Sequence, residues 1–205
     1  MIQTLSLLAF VLIVITSMVI LIFRDWRIVA AALALQYLAV FTLVTRSWPV
    51  GMSVVKLIVG WMSTAAISLT YVRKEVTTLA DDSTSSFVFR GLAGLLVILV
   101  VFIAAPSLQG DVFPQLSLVV LQSGLMLMGM SLMQLGTNSN PFLTIVGLLS
   151  MLSGFEVIYA GLELSTLLTG LLAVVNLGLA LVGVYFIVKT GESEPVPEDE
   201  EANQP

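Results

Sequence analysis

LSMLSGFEVIYAGLELSTLLTGLLAVVNLGLALVGVYFIV, residues 149–188, is a run of 40 residues whose only charged side chains are Glu156 and Glu163. A bilayer core is crossed by roughly 20 apolar residues in a helix, so this stretch holds two spans. The polar break at Gly161 to Glu163 separates them and puts Glu163 in an outer loop. Glu156 falls inside the first span. An ionisable group in hydrocarbon is costly unless it is paired or wetted, which makes Glu156 a candidate functional residue.

The same reading extends to the rest of the chain. Apolar runs predict helices over 2–23, 28–45, 50–72, 91–106, 113–135, 141–161 and 164–188, with Pro106 stopping the fourth. Lys56 in the third and Glu156 in the sixth are the only charges inside them. The first run has no basic residues before it and no small-x-small cleavage site after it, so it reads as a retained helix rather than a signal peptide. With 58% hydrophobic and 10% charged residues and a mean hydropathy of +1.07, the chain calls for membrane lipid as its solvent. The expected fold is an all-α, polytopic membrane helix bundle of about seven helices over 1–190. An acidic tail over 191–205 follows; its prolines, acids and lack of aromatics predict disorder.

Charge sets the expected orientation. Arg24, Arg27, Arg73, Lys74, Arg90 and Lys189 flank one side of the predicted spans and only Arg46 the other. By the positive-inside rule the N-terminus is then outside and the tail cytoplasmic, in a multi-pass cell-membrane protein, most simply of a prokaryotic inner or plasma membrane. The net charge of -5 does not point to a cationic partner, because six of the thirteen acids lie in the tail. The polar loop 73–90 is the best place for a cytoplasmic partner. The absence of cysteine and histidine from the chain removes thiolate and imidazole ligands and any Ser-His-Asp arrangement, so no cofactor, metal centre or catalytic group is expected. No nucleic-acid partner is expected either.

Polar residues within the predicted helices fall into layers. Gln36, Gln122 and Asn176 lie at or close to the centres of helices 2, 5 and 7. Lys56 and Glu156 each lie five positions outward, about 7.5 Å at 1.5 Å per residue, on the same side because helices 3 and 6 run in opposite directions. Ser53, Lys56, Gly60 and Ser63 share one face of helix 3. Thr166, Thr169, Ala173, Asn176, Ala180 and Gly183 share one face of helix 7, and Gly147, Ser150 and Gly154 one face of helix 6. Small-residue faces of this kind let helices approach closely. They suggest that helix 6 packs on two faces, and that helices 3 and 6 pack together to pair Lys56 with Glu156. Structural alternatives stand beside this: Lys56 snorkelling to the interface that Trp48 marks, Glu156 in a purely structural role, and Gln36, Gln122 and Asn176 as ordinary interhelical hydrogen-bonding residues. Met126, Met128, Met130 and Met133 read as packing.

Residues 149–188 resemble the glutamate-bearing helix and following helix of the small subunit K of complex I and its relatives in multisubunit cation/proton antiporters. The wider layout is similar to hydrogenase-4 component E, a membrane subunit of group 4 hydrogenases. It has RDWRIVAAALALQYLAVFTLV after helix 1, a lysine in helix 3 followed by LTYVRK, a polar loop, and a glutamate in helix 6. The resemblance implies a non-redox membrane-arm subunit, with no catalytic centre of its own, that joins antiporter-like subunits in a proton- or sodium-translocating assembly. Glu156 matches the family's membrane glutamate and Lys56 resembles its helix 3 lysine. The chain departs from the pattern in three places: Lys56 is about one turn farther from the TYVR end of helix 3, Gly154-Phe155-Glu156 replaces a glycine-leucine-glutamate, and Asn176 stands where an acid is expected. The competing reading is a scaffold, assembly factor or small transporter in which Lys56 and Glu156 are structural.

Because the chain has no cysteine, introduced ones report topology without interference. Ser85→Cys and Asn203→Cys are expected to resist an impermeant thiol reagent applied outside intact cells and to react once the membrane is opened. External labelling of either contradicts the orientation.

Overall fold

The computed structural model describes residues 2–72, 84–138, 140–163 and 165–192, which contain seven α-helices and no strand. These are α1 (Ile2–Ile22), α2 (Trp26–Val44), α3 (Val50–Val72), α4 (Thr84–Asp111), α5 (Leu118–Thr137), α6 (Pro141–Leu162) and α7 (Thr166–Glu192). Each is long and apolar enough to cross a bilayer.

Local chemistry sets the helix starts. Asp25 accepts a hydrogen bond from the Arg27 backbone N–H at 2.9 Å and caps α2; Asn140 does the same for Phe142 at 2.9 Å, with Pro141 as the first residue of α6. Both satisfy a backbone donor that the first turn leaves unpaired. Ser117 caps α5, which begins five residues later than the hydropathy profile predicts because 113–117 form turns capped into Leu118.

Two expectations about α4 need correction. The helix begins at Thr84 rather than 91, so the end of the expected polar loop is helical, while 73–83 lie outside the described residues. Arg90 accounts for the early start: it is buried, donating to Ile22 O at 3.2 Å and to Ser86 Oγ at 2.9 Å, which ties this first stretch to the end of α1. Nor does Pro106 end the helix. Proline removes one N–H and crowds the carbonyl four residues back, but α4 continues to Asp111, where Gln109 Nε2 donates to Leu116 O at 2.8 Å and secures the turn beyond. At the other terminus α7 runs to Glu192, two residues into the expected tail; 193–205 lie outside the described residues.

Among the described residues, short turns join α1 to α2, α2 to α3 and α4 to α5. Trp26, Tyr71 and Phe142 form a row of rings at one end, with centroids 6.3 and 4.9 Å apart, joining the start of α2, the end of α3 and the start of α6. At the opposite end Trp48 packs edge-on to Tyr159 and donates its indole N–H to Glu163 O at 3.2 Å. The first is here the C-terminal end, where α7 exits, and the second the N-terminal end, where α1 enters. Glu163 sits exposed there as the C-cap residue of α6, in the turn where it was expected.

The neighbour relations define two four-helix squares with a common wall. One is α2–α3–α7–α6 and the other α1–α2–α6–α5, so α2 and α6 belong to both; α4 lies outside, against α5 and α1. Apolar burial follows this plan. One cluster draws Phe10, Ile13, Val40, Leu43, Met126 and Val157 from the second square, and another draws Leu33, Ile67, Leu143, Leu149 and Ala180 chiefly from the first. Met126 and Met130 are core residues, in keeping with their reading as packing. The small-residue face of α6 meets α5, where a methyl built on Gly154 would lie 2.8 Å from Gly124 O, so these backbones approach too closely for any side chain.

Candidate functional site

Lys56 projects from α3 and Glu156 from α6, four to five positions from the middle of each helix toward the N-terminal end. At 1.5 Å per residue both lie about 7 Å from the helix centres. They form a direct ion pair. Lys56 is 4% exposed and Glu156 2%, so the ammonium is turned inward to the carboxylate and the lysine does not snorkel.

The pairing was expected from matching depth, but the packing that produces it was not. Helices 3 and 6 are not close neighbours; they occupy opposite corners of the first square, with α2 on one side and α7 on the other. The long lysine stem crosses the diagonal. Its ammonium stands 5.2 Å from the centroid of the Tyr37 ring on α2, within range of a favourable cation–π contact. The other diagonal is also polar: Tyr37 donates its hydroxyl to Asn176 Oδ1 on α7 at 3.1 Å, and Asn176 Nδ2 donates to Ser63 Oγ on α3 at 2.9 Å. All four helices of the square therefore contribute a side chain to one buried cluster.

The small-residue face of α3 explains how so much fits. Ser53, Gly60 and Ser63 are buried beside Lys56, as their spacing predicts. A methyl built on Gly60 would overlap the Tyr37 ring, so the ring lies flat where only a glycine leaves room. On α7 the predicted face is buried at Thr169, Asn176, Ala180 and Gly183, whereas Thr166 at the helix start is exposed.

Gln36 and Gln122 stand apart from the pair. Gln36 is buried in the second square, where its Nε2 donates to Ser17 Oγ on α1 at 3.2 Å and its Oε1 accepts from Ser150 Oγ on α6 at 3.0 Å. Because Gln36 and Tyr37 are adjacent on α2, they face different squares through the same wall. Gln122 is buried in the second turn of α5 rather than near its centre, since α5 starts at Leu118, and α5 is not one of the four helices of the first square.

Sequence reasoning missed Tyr37 and Ser17, and placed Ser63 and Ser150 on packing faces without their hydrogen-bonding roles. Tyr37 sits in an apolar helix as an ordinary core aromatic would. The signal for it was indirect: Gly60, one turn from the lysine, marks a close approach whose partner hydropathy does not name. Among the described residues no three Asp, Glu, His or Cys side chains gather as a metal site. What the arrangement can do chemically is hold one compensated charge pair, away from water, within a set of neutral hydrogen-bonding groups.

Gly60 provides a direct test of this geometry. Gly60→Ala is expected to lower the unfolding free energy in detergent by about 1–3 kcal/mol, the usual cost of overpacking. Gly51→Ala, where an added methyl meets nothing within 4 Å, should be neutral or stabilising. Equal stability of the two variants contradicts the placement of Tyr37 against Gly60.

Compared with known proteins, the chain matches no family model, no curated protein and no solved structure.

Proposed function

We propose that this chain is a multi-pass cell-membrane protein acting as a non-redox membrane-arm subunit of a complex I-like or group 4 hydrogenase-like assembly. In this reading the Lys56–Glu156 pair takes part in moving or coupling a proton or cation. The observation that carries it is the buried pair itself, placed among four helices beside the hydrogen-bonded Tyr37, Asn176 and Ser63. Buried ionisable residues in membrane helices are rare and mark ion pathways more often than chance placement would. The resemblance to subunit K and hydrogenase-4 component E points the same way.

The chemistry follows from competition for one proton. Desolvation favours the neutral form of a carboxyl group in general, and an adjacent ammonium favours the charged form. A pair so balanced takes up or releases a proton when the distance between its members changes. A single carboxylate and a single lysine hold no energy source of their own, so motion must come from neighbouring antiporter-like subunits. With the N-terminus outside, the pair lies in the outer half of the membrane. The exposed apolar surfaces of α4 and α7, the two least buried spans, face lipid or those neighbours.

A structural role for the pair, in a scaffold or assembly factor, is the second reading; it is favoured by the direct contact of two charges that already satisfy one another. The two readings separate in the native assembly. Purified from its own membrane, the chain is expected to co-purify with large antiporter-like subunits. Glu156→Gln should then leave the assembly intact while ion uptake into reconstituted vesicles falls to background. Wild-type uptake by an intact Glu156→Gln assembly contradicts the ion-path role and favours the scaffold.

A further inference from the structure

The second square has a polar centre that its own hydrogen bonds do not complete. Ser17, Gln36, Ser131, Gln134 and Ser150 line a cavity there that leaves about 10 Å³ for the centre of a water molecule, close to the ~10–15 Å³ that one buried water needs. Gln134 is 1% exposed and its Nε2 donates to Leu143 O at 3.4 Å, but its Oε1 accepts no hydrogen bond from the protein. A buried acceptor left in that condition is costly, and native structures rarely tolerate it.

The remaining capacity of the lining suits a single bridging molecule. Ser150 gives its proton to Gln36 Oε1 and Ser131 gives its proton to Leu127 O at 2.6 Å, so Ser131 Oγ retains acceptor capacity. Gln36 Nε2 gives one proton to Ser17 Oγ, which leaves its second N–H and the Ser17 O–H as donors. Two acceptors and two donors thus belong to residues that line one cavity. No charged side chain lines the cavity, so a cation there would be uncompensated, and the occupant is neutral.

We propose that this cavity is a specific binding site for one water molecule, which donates to Gln134 Oε1 and Ser131 Oγ and accepts from Ser17 or Gln36. Its consequence for ion passage rests on the reading given under Proposed function: the water adds to the polar groups that lie across the common wall from the pair, toward the C-terminal end. Gln134 is the residue that fixes the site.

Hydroxyl-radical footprinting of the full chain in nanodiscs tests this without reference to transport. Short X-ray pulses make radicals from water where it sits, and a buried methionine beside a bound water is then oxidised. Met130 lines the cavity, while Met126, one turn away on the same helix and also buried, does not. Met130 is expected to be labelled several-fold faster than Met126, with the rate falling to that of Met126 in Gln134→Leu. Equal labelling of the two methionines in the wild type overturns the site, and undiminished labelling of Met130 in Gln134→Leu overturns the role of Gln134. Either result leaves the uptake experiment on Glu156 unaffected, so failure of the water site and failure of the ion-path reading are told apart.

Discussion

The ion pair between Lys56 and Glu156 is the constraint around which the first square is arranged. Taking either charge out of water alone costs several kcal/mol, and their attraction offsets this only when the geometry is good and the surrounding groups are satisfied. Around the pair, side chains of α2, α3 and α7 pack on it and hydrogen-bond one another. Gly60 makes room for Tyr37, Tyr37 offers its ring face to the ammonium, and its hydroxyl reaches Asn176, which in turn holds Ser63. Replacing any of these with a bulky apolar residue disturbs a diagonal of the square rather than a single contact.

The second consequence concerns the common wall. Because α2 and α6 belong to both squares, Gln36 and Tyr37 turn to different squares, and Ser150 and Glu156 are both buried on α6. A displacement of α6 relative to α2 would therefore act on the charged pair and on the Ser17–Gln36–Ser150 line together. Close approach of Gly124 and Gly154 fixes α6 against α5 on its remaining side. Polar groups of both squares are thus carried by the same two helices.

Much of this was legible in the residues. Seven runs of suitable length gave seven helices, and the alternation they imply put Lys56 and Glu156 at one depth. What escaped was lateral arrangement. Apolar residues surround most of these helices, so no stripe announces which neighbour lies where, and the long lysine allowed a pair between helices that are not adjacent. Pro106 misled because proline stops helices in water more reliably than it does inside a run of apolar helix. Gln122 was misplaced because residues 113–117 are apolar enough to extend the run, while their turn geometry and the Ser117 cap end it.

The central claim is that Lys56 and Glu156 stabilise one another, and a double-mutant cycle measures this most directly. In Lys56→Met and Glu156→Gln singly, a buried charge loses its partner, a loss that typically costs about 3–5 kcal/mol. The double variant removes both and should recover a large part of that stability, giving a coupling well outside the ~0.5 kcal/mol scatter of independent sites. Additive losses in the double variant would contradict the pair and leave a lysine and a glutamate that act separately.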